Sequence, residues 1–533
     1  MERNIYKSQM KLNLIFLILL MASPLIGQDM DNKIEIERTP NVNWWAGIIR
    51  EGHKMPLESG YEANLFGQCW RNQLQPLLLS TDGQLVWSEE PFQFEFGETN
   101  IFIDDNFSSV FNGKVGNTLR DAYLYASKNF FPPNGVMPPK EFFSIPQYNT
   151  WIELTYNQNQ EDILNYARSI IEKGMPPGII MIDDNWQEDY GKWDFHQGRF
   201  PDPKAMMKEL KEMGFKVMLW VCPFVSPDSE VYRALDKKGL FMLDQTDQTA
   251  MVRWWNGVSA LLDLTNQESE KWFKQVLDGL IEDYGVDGFK LDAGDTRFYV
   301  GLKSSKEVSP NTHTELFAKV GLDYPYNEYR ATWKMGGKHL VQRLHDKNHD
   351  WTDLKKLIPH MLLEGIMGYP FSCPDMIGGG QFKSFLDDAV IDQELIVRST
   401  QVHALMPMMQ FSVAPWRILD QYHFQAVLDA IELREKFKET IVTLAKEASL
   451  NGEPIIRSME YVFPHQGFAL ISDQFMLGNN ILVAPFMDKG EGNRKVVLPK
   501  GNWKSDLGKV ITGGKTIETE VPLKRIPYYI LID

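Results

Sequence analysis

Cysteine is nearly absent from this chain. Cys69, Cys222 and Cys373 are the only three among 533 residues. They lie far apart and form no Cys-x-x-Cys pair, so no zinc site is indicated. An odd count argues against a disulfide framework, and buried free thiols are expected. Positive charge is the second shortage. Lys and Arg number 55 against 71 Asp and Glu, a formal net charge of −16, and no basic run offsets the excess. Nucleic acid and anionic membrane surfaces are therefore disfavoured as partners, since both demand clustered cations. Long apolar runs are lacking too. The one candidate, Leu12 to Met21, is short for a membrane span. Arg3, Lys7 and Lys11 precede it and Ala22-Ser23-Pro24-Leu25-Ile26-Gly27 follows, so residues 1–27 read as a secretory signal peptide. This predicts an exported (periplasmic or secreted) protein without stable membrane insertion; an N-terminal membrane anchor is the alternative. No Gly-rich phosphate loop follows the first strand, so nothing supports a nucleotide fold.

What is present divides the chain into three parts, as a length of 533 residues allows. Residues 28–140 lack helical periodicity and show short apolar runs between turn signals. Leu74 to Leu79 is one such run, and the alternating Phe92-Gln93-Phe94-Glu95-Phe96 is another. They read as an all-β unit, a β-sandwich, closed by the Pro/Gly-rich linker Phe131 to Pro139. Over residues 141–445 strands alternate with amphipathic helices. Expected strands are Thr150 to Tyr156, Gly178 to Asp184, Lys216 to Val221 and Gly288 to Leu291. Expected helices are Gln160 to Lys173, Pro203 to Gly214 and Gln267 to Tyr284. Continuous apolar strands in such alternation predict a parallel sheet covered on both faces. The length fits a (β/α)8 TIM barrel, with an open doubly wound sheet as the alternative. Residues 446–533 return to short strands, including Gly467 to Ile471, Asn480 to Pro485 and Lys495 to Leu498, and read as a small C-terminal β-sandwich.

The chemistry sits at strand ends. Lys290 lies two residues before Asp292, so both point to one face of their strand. They are either a structural ion pair or part of a site. The second strand ends in Asp183-Asp184 with Trp186 beyond, the third near Trp220, and a later one at Asp375. A barrel gathers these ends on one rim, where catalytic groups sit. Acids that bind hydroxyls and Trp faces that stack on rings describe a sugar site, and the 15 Trp and 19 Tyr suit it. Glycoside hydrolysis needs two carboxyl groups across the scissile bond, and spacing in sequence does not select the pair.

The segments resemble glycoside hydrolase family 31 from about residue 140 onward. Asp287-Gly288-Phe289-Lys290-Leu291-Asp292 is similar to that family's nucleophile strand. Arg330-Ala331-Thr332-Trp333 is similar to its arginine segment. Asp346, sixteen residues after Arg330, and Trp351, five later, match its acid/base aspartate and the following Trp. Gly368 to Gly379, and Asp473 to Gly478 with Leu482 to Pro485, resemble two further family segments. The resemblance implies Asp292 as nucleophile and Asp346 as general acid/base. Asp183, Asp184, Lys290, Arg330 and Asp375 then serve the substrate, with Trp186, Trp220 and Trp333 as walls. The implied partner is an α-linked oligosaccharide or glycoside, with no cofactor. Lys290 and Arg330 are expected to keep Asp292 ionised, and Asp346 to sit in a more apolar or anionic setting. Phe200 to Pro203, Leu219 to Val225, Phe289 to Gly294 and Gly368 to Phe371 resemble the branch of the myogenesis-regulating glycosidase and related bacterial enzymes, associated with α-galactoside hydrolysis.

Two departures bear on the sugar. Leu344-His345-Asp346-Lys347-Asn348 stands where family α-glucosidases carry Trp-x-Gly-Asp-Asn. Met409 to Trp416 lacks their Arg-x-His. A retaining α-galactosidase is therefore the expected activity, with α-glucosidase, α-xylosidase and sulfoquinovosidase as alternatives and a non-catalytic carbohydrate-binding barrel as the other class. Asp350, beside Trp351, reads as a helix N-cap rather than the acid. The His345/His349 pair lacks the acid partner that a metal site would need, so no metal is expected.

Overall fold

A computed structural model describes residues 33–67, 72–104, 110–386 and 389–532. The expected signal peptide and Cys69 lie outside these residues. Among the described residues no helix is long and apolar enough to cross a membrane.

The N-terminal unit is two four-stranded antiparallel sheets. One orders Lys33–Glu37, Asn100–Asp104, Gln93–Phe96 and Glu62–Asn64. The other orders Trp44–Ile48, Leu74–Ser80, Gln84–Trp87 and Phe111–Lys114. Alternation along Gln93–Phe96 buries Phe94 and Phe96 and exposes Gln93 and Glu95. Those rings, with Ile36, Ile101 and Ile103, meet Trp44, Leu78 and Val86 of the other sheet in one core, as in a sandwich. A helix, Leu119–Phe130, follows where none was expected. Thr118 and Asp121 cap it reciprocally, and Leu119, Ala122, Tyr123 and Ala126 form its buried stripe.

The middle of the chain is a (β/α)8 barrel. Its strands are β1 (Gln147–Asn149), β2 (Ile179–Ile182), β3 (Lys216–Val221), β4 (Gly288–Leu291), β5 (Tyr326–Tyr329), β6 (Gln342–Arg343), β7 (Ser372–Cys373) and β8 (Gln410–Phe411). They pair in parallel in chain order, and β8 returns to β1. A parallel bridge between Met376 and Gln410 closes the remaining gap. The residues of β2 and β4 are wholly buried, as strands covered on both faces must be.

The first strand differs from expectation. It is Gln147–Asn149, and Trp151–Leu154 is a helical turn. The Asn149 side chain accepts the Trp151 N–H at 2.9 Å, and Ser412 Oγ accepts that of Ile152 at 2.7 Å. These side-chain acceptors end the ladder and start the turn.

The helix Gln421–Asn451 runs across the boundary drawn at 445/446 and ends where Gly452 turns left-handed. Beyond it lie a six-stranded antiparallel sheet and a two-stranded ribbon, Gly492–Leu498 with Lys515–Val521. Met476, Leu482, Val496, Leu498 and Trp503 pack between them. Gly467 to Ile471 is not a strand: His465 and Gly467 both have positive φ, which breaks an extended run.

One contact between units matters for the site. The helix Trp351–Ile366 after β6 packs on the short 3-10 turn Ile49–Lys54 of the sandwich. A Cβ at Gly52 would stand 2.8 Å from the Pro359 carbonyl oxygen, so only glycine permits the approach.

Candidate active site

Asp292 directly follows β4, and three groups hold its carboxylate. Trp220 Nε1 donates to Oδ2 at 2.8 Å, the Ala293 N–H donates to Oδ1 at 2.9 Å, and Arg330 Nε lies 2.8 Å from Oδ1. Arg330 is fixed in turn by Asp295 Oδ2 at 2.7 Å, and its guanidinium lies over the Trp255 ring, 4.4 Å from the centroid. Burial alone would raise the Asp292 carboxyl. The Arg330 and Lys290 charges and the Trp220 hydrogen bond outweigh it and hold the group below the ordinary carboxylate value.

Lys290 is not the ion-pair partner of Asp292. Its Nζ donates to Asp183 Oδ2 at 2.7 Å, and both groups are buried. Neighbouring parallel strands place residues of β2 and β4 on opposite sides of β3, and the long lysine side chain spans the barrel interior to reach Asp183. Asp183 Oδ1 accepts the Asp184 N–H at 2.8 Å. Asp184 accepts from Tyr190 Oη at 3.1 Å and from Asn256 Nδ2. Burial, then the Asp183 charge, pushes its carboxyl up to about 7.

Asn256 and Trp255 form the turn of a hairpin, Met251–Trp254 with Gly257–Leu261, that leans over the pocket. Tyr156 Oη, from the loop after β1, donates to Asn256 Oδ1 at 2.8 Å.

Asp346 follows β6 and stands at the rim, its side chain 33% exposed. Its setting is not apolar, and the one cation that holds it is shared with two further acids. Arg343 Nη1 donates to its Oδ1 at 2.9 Å and to Asp375 Oδ1 at 2.6 Å, while Arg343 Nε lies 3.5 Å from Glu328 Oε1. Arg343 is thus a buried cation among three acids. Asp375 is committed to this framework: its other oxygen accepts the N–H groups of Lys347 at 2.7 Å and Gly380 at 3.0 Å. Burial raises its carboxyl to about 6 despite Arg343.

A cavity of about 330 Å³ opens on the rim. Asp292 and Asp346 both line it, with Asp183, Asp184, Trp220, Lys290 and Arg330. Three expected members do not. Asp375 is buried, its oxygens engaged by Arg343 and two backbone N–H groups. Trp186 is fully buried, gives its Nε1–H to the Trp220 carbonyl at 2.8 Å, and packs on Phe195; it supports the wall without being one. Trp333 points away altogether. Its segment pairs with Leu74 of the sandwich, and its indole is buried in the sandwich core. A larger cavity, about 690 Å³, lies on the sandwich side and carries none of the barrel acids.

Arg343, Trp255, Asn256 and Tyr190 were not anticipated. Arg343 alone had a local signal, a cation on a strand three residues before Asp346. The others reach the site from hairpins outside the barrel alternation. Asp350 is the N-cap expected, accepting the Asp353 N–H at 2.7 Å. His349 donates from Nδ1 to the Gly378 carbonyl at 2.9 Å and accepts the Asp392 N–H at Nε2 at 3.0 Å, so neither ring nitrogen is open to a metal. Cys222 and Cys373 are buried and free.

Comparison with known proteins agrees with this fold. The family model described as the glycosyl hydrolases family 31 TIM-barrel domain matches residues 135–444, and that of the family 31 C-terminal domain matches residues 452–531. The chain is 32% identical to the myogenesis-regulating glycosidase of Mus musculus over 437 residues, 78% of this chain and 60% of the relative. It is 25% identical to alpha-glucosidase 2 of Bacillus thermoamyloliquefaciens, covering 81% of this chain and 59% of the relative. The chain thus spans about 60% of the length of these relatives. A Flavobacterium johnsoniae GH31 dextranase structure superposes with a TM-score of 0.82 at 20% identity, over 94% of this chain and 66% of that one; this likeness bears on the fold.

Proposed function

We propose that this chain, which belongs to glycoside hydrolase family 31, is a retaining exo-α-glycosidase, and that its sugar is α-galactose. The observation that carries the catalytic reading is that Asp292 and Asp346 line one cavity in unlike settings. Asp292 is buried and clamped by an indole N–H and a guanidinium, while Asp346 stands at the rim. Two carboxyl groups held differently suit two different roles.

Asp292 attacks the anomeric carbon, and the bond to the leaving oxygen breaks as the Asp346 proton moves to that oxygen. The product is a glycosyl ester on Asp292. Asp346, now a carboxylate, takes a proton from water, whose oxygen attacks the same carbon and frees Asp292 with net retention. The pocket, about 330 Å³, is at the small end of ligand sites, in keeping with one terminal sugar ring. Asp183 and Asp184, which line the cavity, accept from ring hydroxyls, and the Trp220 Nε1–H fixes the nucleophile.

The preference for α-galactose rests on the branch-specific segments and on the missing Arg-x-His. The α-glucosidase reading draws on the Bacillus relative. A panel of aryl α-glycosides (galactoside, glucoside, xyloside, sulfoquinovoside) decides between them: the α-galactoside is expected to show the highest kcat/KM, and a higher value on another sugar overturns the preference. Asp292→Asn is expected to abolish turnover, and azide to restore turnover of an activated substrate by Asp346→Ala. Full activity of Asp292→Asn, or no azide effect, refutes the assignments.

A further inference from the structure

The rim of the sugar cavity is built up on the side that faces Asp346. The barrel strands pair in chain order, so β2 and β6 stand four apart either way round. Asp346 follows β6, whereas Asp183 and Asp184 follow β2. The group that protonates the leaving oxygen stands beside the anomeric bond. In a pyranose C4 lies across the ring from C1. A ring with C1 toward Asp346 therefore turns C4 toward the β2 side.

That side is walled. Tyr156, a cavity-lining residue of the loop after β1, donates from Oη to Asn256 Oδ1 at 2.8 Å and so meets the tip of the hairpin inserted after β3. Asn256 Nδ2 donates in turn to Asp184 Oδ2, and to Tyr190 Oη at 2.8 Å. On the other flank Trp151 packs on Tyr156 with ring centroids 5.2 Å apart, and on Phe382, from the loop after β7, at 5.5 Å. Loops after β1, β3 and β7 are thus joined in one arc.

Strained backbone brackets the centre of that arc. Thr155, directly before Tyr156, has φ 48°, and Asn185, directly after Asp184, has φ 76°. A β-branched residue at positive φ is an outlier, and such a conformation persists only where its surroundings fix it. Gln158 Nε2 donates to the Thr155 carbonyl at 2.9 Å, and Asn185 Nδ2 donates to the Tyr156 carbonyl. Tyr156 is therefore held by its backbone on one side and by its phenol on the other.

We infer that the Tyr156–Asn256 pair is the end wall that limits this enzyme to an unsubstituted terminal ring, because it occupies the path that a second sugar on O4 would take. The inference rests on the glycosidase reading above and assigns its exo action to two residues.

The test uses the full chain and two 4-nitrophenyl α-glycosides of the best sugar from the panel. One has O4 free; the other carries a β-linked glucose there, a cap that an α-specific enzyme does not trim. Release of 4-nitrophenol gives kcat/KM for each. The ratio of the two within one preparation cancels any inactive fraction, so poor folding of a variant does not move it. Wild type is expected to act on the capped glycoside with a kcat/KM lower by about a hundredfold or more. In Tyr156→Ala and in Asn256→Gly the gap should narrow to about tenfold, chiefly through a lower KM for the capped substrate. Tyr156→Phe, which drops only the hydroxyl, should narrow it by a smaller factor. A merely structural role would lower both substrates alike and leave the ratio unchanged. Equal kcat/KM values in wild type, or a ratio unchanged in the variants, overturn the inference while leaving the glycosidase reading intact. No release of 4-nitrophenol from the uncapped glycoside by wild type overturns the glycosidase reading itself.

Discussion

Replacing Asp184 by Asn should change how the stability of this protein depends on pH. Asp184 is buried beside Asp183, and its carboxyl rises from an ordinary 3.8 to about 7. For an acid raised on folding, the native state binds more protons than the unfolded one. Stability therefore falls as pH climbs from the unfolded value, and levels off above the folded one. Between pH 5 and pH 7 the unfolded chain carries Asp184 ionised while the folded chain keeps it protonated. Each pH unit costs about 1.36 kcal/mol, so those two units cost roughly 3 kcal/mol. Asn keeps the shape and an acceptor for Tyr190 and does not titrate. Urea unfolding of wild type and Asp184→Asn, followed by tryptophan fluorescence at pH 5, 6, 7 and 8, should show the variant gaining about 3 kcal/mol relative to wild type from pH 5 to pH 8, most of it before pH 7. Any fixed cost of the Asn side chain cancels in that difference. A difference that stays constant across the range would mean that Asp184 ionises normally, and the argument from burial and Asp183 would fall.

Three further outcomes follow from the same framework. Trp220→Phe removes one hydrogen bond to the Asp292 carboxylate; since such bonds to charged groups contribute about 1.5–3 kcal/mol, kcat/KM should fall by roughly 10- to 100-fold, with its acidic limb moved to higher pH, as a pH–rate profile will read. Arg343→Gln strips the cation from between Asp346, Asp375 and Glu328 and should destabilise the fold by about 3–5 kcal/mol in chemical denaturation; a loss under about 1 kcal/mol would mean that the buried network counts for little. Trp333→Ala empties the sandwich core and should cost about 3–5 kcal/mol, seen as an early unfolding transition; a change in substrate affinity without any loss of stability would return Trp333 to the sugar wall.

The legible part of this protein was the part built from local pattern. The barrel followed from alternating apolar strands and capped helices, and Asp183, Asp184, Lys290 and Asp292 followed from acids and a lysine at strand ends. Which groups pair was another matter. Lys290 lies two residues from Asp292 but bonds Asp183, because the barrel interior sets the distance and not the sequence interval. Trp255 and Asn256 enter the site from the tip of a hairpin inserted after β3, where nothing in the sequence says toward which rim it folds. Trp333 was misplaced for a related reason. It shares a segment with Arg330, but backbone pairing to Leu74 rotates it out of the barrel. The helix Leu119–Phe130 was legible and overlooked, its capping box and apolar stripe both being present in the sequence.

That shared segment carries a consequence for how such a chain can be rearranged in evolution. Within four residues it supplies the guanidinium that clamps Asp292 and an indole that completes another unit's core. The sandwich is therefore not an accessory that recombination can delete or exchange freely. Any replacement must offer both a strand edge for the Trp333 backbone and a cavity the size of an indole, or the loop that sets Arg330 loses its mooring.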